Sequence, residues 1–185
     1  MKELSLHMLD IAQNSIAAGA RSVDLTVEEL GGLLTLVVQD NGKGMSPEFL
    51  AQVTDPFTTT RTTRKVGLGL PLLRLAAEMT GGRLEIRSQL GKGTTVTASF
   101  HQDHIDCPPL GDMAGTVSLL VQGLPEGMEL TYLRRGPAGA FCFDTRQVRE
   151  ILGPDVPLSA PDVCEWVRGH VEEGEQSVAP TDRNI

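Results

Sequence analysis

Between Leu4 and Ala18 apolar residues return at intervals of three and four, and Gly19 follows them, the pattern of an amphipathic helix with a glycine stop. The period then changes to two. Val23, Leu25 and Val27 alternate with polar residues, Gly31-Gly32 makes a turn, and Leu34, Leu36 and Val38 alternate again, which predicts a β-hairpin. Gln39 to Gly44 is a polar, glycine-containing loop, after which Ser46 as N-cap and Pro47 at the first helical position open a short helix through about Val53. A polar loop from Thr54 to Val66 precedes a helix from Leu68 to Met79, closed by Gly81-Gly82. Two strands follow, Arg83 to Ser88 and Thr94 to Phe100, joined by a turn at Gly91-Lys92-Gly93. The order helix, hairpin, helix, helix, hairpin predicts an α/β (α+β) two-layer sandwich, a mixed, mostly antiparallel sheet backed by helices.

The second part of the chain has a different character. Strands are expected over Thr116–Gln122, Met128–Leu133 and Ala140–Phe143, then a helix from an Asp144 cap to Leu152 and another opened by Pro161, with Val163, Trp166, Val167 and His170 on one face. Residues 1–100 hold ten basic and ten acidic side chains, whereas 101–185 hold six and fourteen, so the whole net charge of −8 belongs to the second part. Such a surface repels nucleic acid. Three prolines in the first hundred residues and eight afterwards mark the same change. These shifts predict a boundary near residue 103: one domain over 1–102, a small acidic α+β module over 103–173, and a flexible tail over 174–185, where Glu172-Glu173-Gly174-Glu175 begins a polar run.

With 40% hydrophobic residues and a mean hydropathy of −0.07, the chain has no uninterrupted apolar run of the ~20 residues that a membrane-spanning helix needs. Asp10 interrupts the first apolar stretch, and no small-residue cleavage site follows, so neither membrane insertion nor secretion is expected. Cys107, Cys142 and Cys164 are odd in number and far apart, as reduced thiols of a cytoplasmic protein would be.

Four clusters carry candidate chemistry. Asp10 and Asn14 lie four apart and project from one helix face, a carboxylate and a neutral oxygen ligand suited to magnesium with a polyphosphate. Asp40 ends an apolar strand ahead of Gly42 and Gly44, where backbone passes close to a ligand and a carboxylate accepts from an exocyclic amine such as that of adenine. The loop from Pro56 to Lys65 gathers hydroxyls with Arg61, Arg64 and Lys65, suited to anionic oxygens, and Gly67-Leu68-Gly69-Leu70 opens a helix whose first amides attract anions. Each alone has an ordinary structural explanation: a solvated face, a turn, a connection, a helix start. Gly91-Lys92-Gly93-Thr94 lacks the earlier glycine of a P-loop, and Gly67-Leu68-Gly69 lacks the third glycine of a dinucleotide-binding turn.

As an ordered set, the four clusters resemble the GHKL superfamily of ATPases, the ATP-binding fold of sensor histidine kinases, anti-sigma kinases, gyrase and mismatch-repair proteins; the likeness covers about residues 4–100. The resemblance implies that Asp10 is the base or water-orienting acid of the N box and Asn14 its magnesium ligand. It further implies that Asp40 reads adenine with Gly42 and Gly44 in the first glycine box, and that Phe57, Thr59, Thr60 and Arg61 begin the ATP lid. Gly67, Leu68, Gly69 and Leu70 would hold the phosphates, and Thr94 would complete the adenine pocket. The departures are Asp10, one methylene shorter than the usual glutamate, and a short lid. The run Asn14-Ser15-Ile16-Ala17-Ala18-Gly19-Ala20 is closer to the mismatch-repair branch than to a typical kinase. His7, three residues before Asp10, is read as a structural or orienting histidine. A helix starting near residue 4 leaves no upstream phosphoacceptor domain, so the expected activity is Mg-ATP-dependent phosphoryl transfer to a protein in trans or slow hydrolysis. The alternative is an ATP-gated binding switch, and in either case the acidic module would serve a protein partner or self-association.

Overall fold

The computed structural model describes residues 3–54 and 69–179. The elements run α1 (Leu4–Ala17), β1 (Ser22–Leu30), β2 (Leu33–Asp40), α2 (Pro47–Thr54), α3 (Gly69–Met79), β3 (Arg83–Gln89) and β4 (Gly93–His101). They continue with α4 (Met113–Gln122), β5 (Glu129–Gly136), β6 (Gly139–Asp144), α5 (Thr145–Leu152) and α6 (Pro161–Val178). The strands form one six-stranded sheet in the order β3-β4-β2-β1-β5-β6. All neighbours are antiparallel except β1 and β5, which run parallel with Leu25 opposite Tyr132. This is the mixed, mostly antiparallel α+β sandwich that the period changes predict.

One face of the sheet is apolar because the alternation stays in register across strands. Val23, Leu25 and Val27 of β1 lie beside Leu36 and Val38 of β2, and Val38 and Leu36 beside Val96 and Ala98 of β4. Leu4, Met8, Ile11 and Ala12 of α1, Leu73 and Ala77 of α3, Val117, Leu120 and Val121 of α4, and Val163, Val167 and Val171 of α6 bury against that face in a single core. Among the described residues no helix is long and apolar enough to cross a membrane.

Three expectations for the second part are corrected. The segment Thr116–Gln122 belongs to helix α4, not to a strand. Its Thr116, Val117 and Val121 have β-favouring side chains, but Val117, Leu120 and Val121 share the i, i+3, i+4 face that buries between α1 and α6, and tertiary packing overrides propensity. Asp112 starts the helix by accepting from Gly115 N at 2.7 Å.

The polar run after residue 172 is not a tail from 174 onward, since α6 continues to Val178. Glu175 accepts from the buried Tyr132 hydroxyl and from Arg134 Nε at 3.2 Å, while Arg134 Nη2 reaches Glu29 at 2.8 Å, so the charges of this run close a network between β1, β5 and α6. Gly174 admits the Phe141 ring, which a Cβ would meet at 2.4 Å.

Nor does packing divide the chain at residue 103. β5 and β6 extend the same sheet, and α1, which has no side-chain N-cap, has its first amides satisfied from beyond that point: Leu4 N donates to Pro109 O at 3.0 Å and Ser5 N to Leu110 O at 2.7 Å.

Candidate functional site

A cavity of about 260 Å³ opens between α1, α2 and the ends of β2 and β4. Ile11 and Ala17 of α1 with Ala18 just after it, Phe49 and Val53 of α2, and Met45, Leu70 and Val96 make its walls apolar. Asn14, Ser15, Asp40, Lys43 and Thr94 are the polar groups on it.

Asp40 is at the centre of this polar group. As the last residue of β2 it stands opposite Thr94 of β4, and its Oδ1 accepts from Gly42 N at 2.9 Å and Thr94 N at 3.3 Å. Its Oδ2 accepts from the Ser15 hydroxyl at 2.6 Å. The Ser15 oxygen also lies 3.3 Å from Ile11 O, but it has a single proton and the shorter contact takes it. Three donors therefore fix one carboxylate at the edge of an apolar cleft, and its one remaining acceptor site, on Oδ2, is left for a ligand's N–H.

The hairpin β3–β4 supports this corner. Ser88 Oγ accepts from Met45 N at 2.8 Å and donates to Gly93 O at 3.0 Å. The Thr94 hydroxyl, 2.8 Å away, is then the donor to Ser88 and keeps its own lone pairs for the cavity. Gly44, at φ +64°, brings the loop so close that a Cβ would stand 2.0 Å from the Gln89 carbonyl oxygen, and Gly91 N donates to Lys43 O at 2.7 Å. Gly42 is less constrained, with its nearest neighbour, Asp40 Oδ1, 3.1 Å from where a Cβ would be.

Asn14 is exposed on the wall of the cavity, with no side-chain partner among the described residues. Asp10 is one turn earlier and beside the cavity rather than in its wall. Its carboxylate presses on the start of α3, where a Cβ on Gly69 would meet Oδ2 at 1.8 Å, so this helix must begin with glycine. His7 is buried behind them, and burial pushes its imidazole below the ordinary range, against the opposing influence of Gly69 and Asp10.

The structure thus brings Asn14, Asp40, Gly44, Leu70 and Thr94 to one cavity, with Gly42 in the Asp40 loop and Asp10 touching Gly69 beside it. Phe57, Thr59, Thr60, Arg61, Gly67 and Leu68 lie outside the described residues. Sequence reasoning missed Ser15 and Ser88, which hold Asp40 and Thr94. A buried serine on a helix's apolar face is the only signal Ser15 offers, and Ser88 offers none. Among the described residues no group of three His, Cys, Asp or Glu side chains is placed to hold a metal ion. The donor set nonetheless fits magnesium, which takes one or two protein oxygens and completes its shell from phosphates and water, and Asn14 offers such an oxygen.

In fold, the chain is similar to a crystal structure of the N-terminal domain of a DNA repair protein, with a TM-score of 0.52 over 77% of this chain and 52% of that one at 14% identity. In sequence it is 38% identical over 96 residues to the histidine protein kinase DivJ of Caulobacter vibrioides, covering 49% of this chain and 16% of that protein. It is 33% identical over 100 residues to the sensor protein SrrB of Staphylococcus aureus, covering 51% and 17%. The chain therefore spans about a sixth of the length of these curated relatives. Residues 2–104 match the sequence pattern of the histidine kinase-, DNA gyrase B-, and HSP90-like ATPases, and the chain belongs to that family.

Proposed function

We propose that the cavity binds Mg-ATP and that the chain transfers the γ-phosphoryl group to a partner protein in trans, or hydrolyses ATP slowly, in cytoplasmic signalling. The observation that carries this reading is the Asp40 carboxylate, held by Ser15, Gly42 N and Thr94 N at the rim of an apolar cleft of adenine's character. Asp40 accepts from the adenine amine, the apolar walls enclose the base, and Asn14 gives its oxygen to the magnesium ion, which neutralises phosphate charge. Lys43 and the α3 start at Gly69 and Leu70 complement the phosphates, with Gly67 and Leu68 assigned to the same task by family likeness and Phe57, Thr59, Thr60 and Arg61 assigned by the same likeness to the start of the ATP lid. Asp10 is the base that takes a proton from the attacking group. The acidic second part is read as the surface for the partner protein or for a second copy.

Calorimetry with ATP tests the adenine contact. A hydrogen bond to a charged group is worth roughly 1.5–3 kcal/mol, so Asp40→Ala should weaken binding by about 10-fold or more. An unchanged affinity would remove Asp40 from the site.

The position of Asp10 favours a second reading, an ATP-gated switch. Its Oδ2 is packed on Gly69 rather than facing the cavity, so nucleotide-driven movement of α3 would change the protein's surface without turnover. Single-turnover phosphate release and transfer at saturating Mg-ATP separates the two. Asp10→Asn should slow a base-assisted step by about 10²–10⁴ while leaving ATP affinity intact. A parent rate near zero with every partner offered would favour the switch.

A further inference from the structure

The two ends of the sheet are finished differently. β3, at one end, carries Arg83, Glu85 and Arg87, with Arg87 Nε on Glu85 at 2.7 Å, and charges of this kind along an edge strand keep other strands away. β6, at the other end, runs Gly139-Ala140-Phe141-Cys142-Phe143 without a charge before it reaches Asp144, which Arg146 neutralises at 2.8 Å. That edge has no such guard.

The pairing with β5 tells which groups of β6 are free. Gly136 and Gly139 pair across the turn Pro137-Ala138, so they exchange hydrogen bonds, and the antiparallel alternation then directs the amides and carbonyls of Phe141 and Phe143 toward β5. Those of Ala140 and Cys142 point outward, and among the described residues no further backbone group meets them. The aromatic packing also runs to this edge without a cover. Phe141 is half-buried, with its ring edge-on to His170 of α6 at 5.3 Å, and Trp166 lies flat on the same imidazole at 4.9 Å while remaining 49% exposed. Phe143, on the same side of the strand as Phe141, is buried.

We propose that β6 pairs antiparallel with β6 of a second copy about a two-fold axis at Cys142, joining the two six-stranded sheets into one. This narrows the reading of the second part of the chain to self-association, and it does not depend on the nucleotide. The register follows from the free groups, because only an axis at Cys142 engages Ala140, Cys142 and Asp144 together. Each Cys142 exchanges both backbone hydrogen bonds with its counterpart, and Asp144 N donates to Ala140 O of the other copy. Phe141 then stands opposite Phe143 of the second copy as a non-hydrogen-bonded pair, the closer kind, and aromatic pairs across strands are stabilising. Asp144 faces an alanine rather than its own counterpart. The strand is thus complementary to itself in its free backbone groups, its rings and its charge, which selects a second copy over an unrelated strand.

Sedimentation of the full chain over a range of concentrations tests the pairing. A mass twice 19.9 kDa is expected, and a chain that stays monomeric throughout overturns the proposal. Cys142→Pro removes an outward amide and no bond to β5, so it should keep the melting transition and weaken association by roughly 10-fold or more. Should that variant fail to fold, Cys142→Lys, which sets like charges against each other at the axis, carries the same expectation. The location is read separately: a short thiol-reactive cross-linker should join the exposed Cys142 to Cys142 of the second copy, as peptide mapping would show. Cys142→Ser should lose the cross-link and still dimerise. A dimer that forms no Cys142 cross-link and ignores both substitutions uses another surface and refutes the assignment to β6. Trp166, the chain's single tryptophan, should shift its emission to the blue as the dimer forms, and an emission that stays fixed through the transition would place the contact away from this edge. Calorimetry should give Cys142→Pro the parent's ATP affinity. A monomeric parent that binds ATP therefore defeats only the pairing, and a dimer that does not bind ATP defeats only the nucleotide reading.

Discussion

A serine hydroxyl 2.6 Å from Asp40 shows how much of this site is decided by single side chains. Ser15 is buried on α1, one residue from Asn14, so the helix that carries the proposed magnesium oxygen also fixes the Asp40 carboxylate. His7 adds a consequence for stability. Its folded-state pKa lies below the ordinary 6.5 because burial disfavours the charged ring. The unfolded chain therefore binds a proton near pH 6.5 that the folded chain refuses until lower pH. The contribution of His7 is fully present above pH 6.5 and is lost as pH falls from there through the depressed folded pKa. Thermal melting followed from pH 7.5 to 5 should show a steeper decline for the parent than for His7→Phe, which has no group to charge. Parallel declines would mean that the ring is solvated enough to charge freely.

At the scale of elements, strength lies where local signals and packing agree. Asp112 is the N-cap of α4, with Gly115 N donating to Oδ1 at 2.7 Å, and its Oδ2 also meets Arg168 of α6 at 2.9 Å. Both partners of that ion pair are more than half exposed, so the pair is screened and contributes little, whereas a lost N-cap costs about 1 kcal/mol. Urea unfolding should therefore find Asp112→Ala destabilised by about 1 kcal/mol and Arg168→Ala by less than ~0.5 kcal/mol. Equal losses would assign the stabilisation to the ion pair instead. The same agreement explains what was legible in the sequence. The two hairpins and α1 stand out because Val23, Leu25 and Val27, or Leu4, Met8 and Ile11, bury the positions that their period predicts. Helix α4 was not legible because Thr116, Val117 and Val121 prefer strands in isolation, and its helical form depends on faces supplied by α1 and α6. The end of α6 was hidden for a related reason: Glu175 is a surface residue by composition, and only its Tyr132 and Arg134 partners, about forty residues earlier, make it structural. Of the candidate site, the glycines and Asp40 were readable as a motif, while Ser15 and Ser88 become visible only when β2, β4 and α1 converge.

On the scale of the whole molecule, the break in composition near residue 103 is not a break in structure. β1 lies between β2 and β5, and the first amides of α1 are held by Pro109 and Leu110. A chain ended at residue 103 would leave one side of β1 unpaired, uncover the core beneath α4 and α6, and free the end of the helix that carries Asp10 and Asn14. It is expected to lose both its cooperative thermal transition and ATP binding, as calorimetry would show. A truncated chain that melts cooperatively and binds ATP would establish residues 3–103 as a self-sufficient unit.

The parallel pairing of β1 with β5 also bears on the order in which the protein can be made. Ser22 pairs with Glu129, so more than a hundred residues of chain separate two strands that lie side by side. During synthesis the motifs of the N-terminal part leave the ribosome before β5, and β1 then waits with an open edge until the residues of β5 and α6 have emerged. Contacts so distant along the chain form slowly. A nascent chain stalled just after β4 would hold every motif that names its family and still lack the strand that completes the sheet; for some seconds of its life this protein would be a member of its family in sequence and a sticky, unfinished sheet in structure.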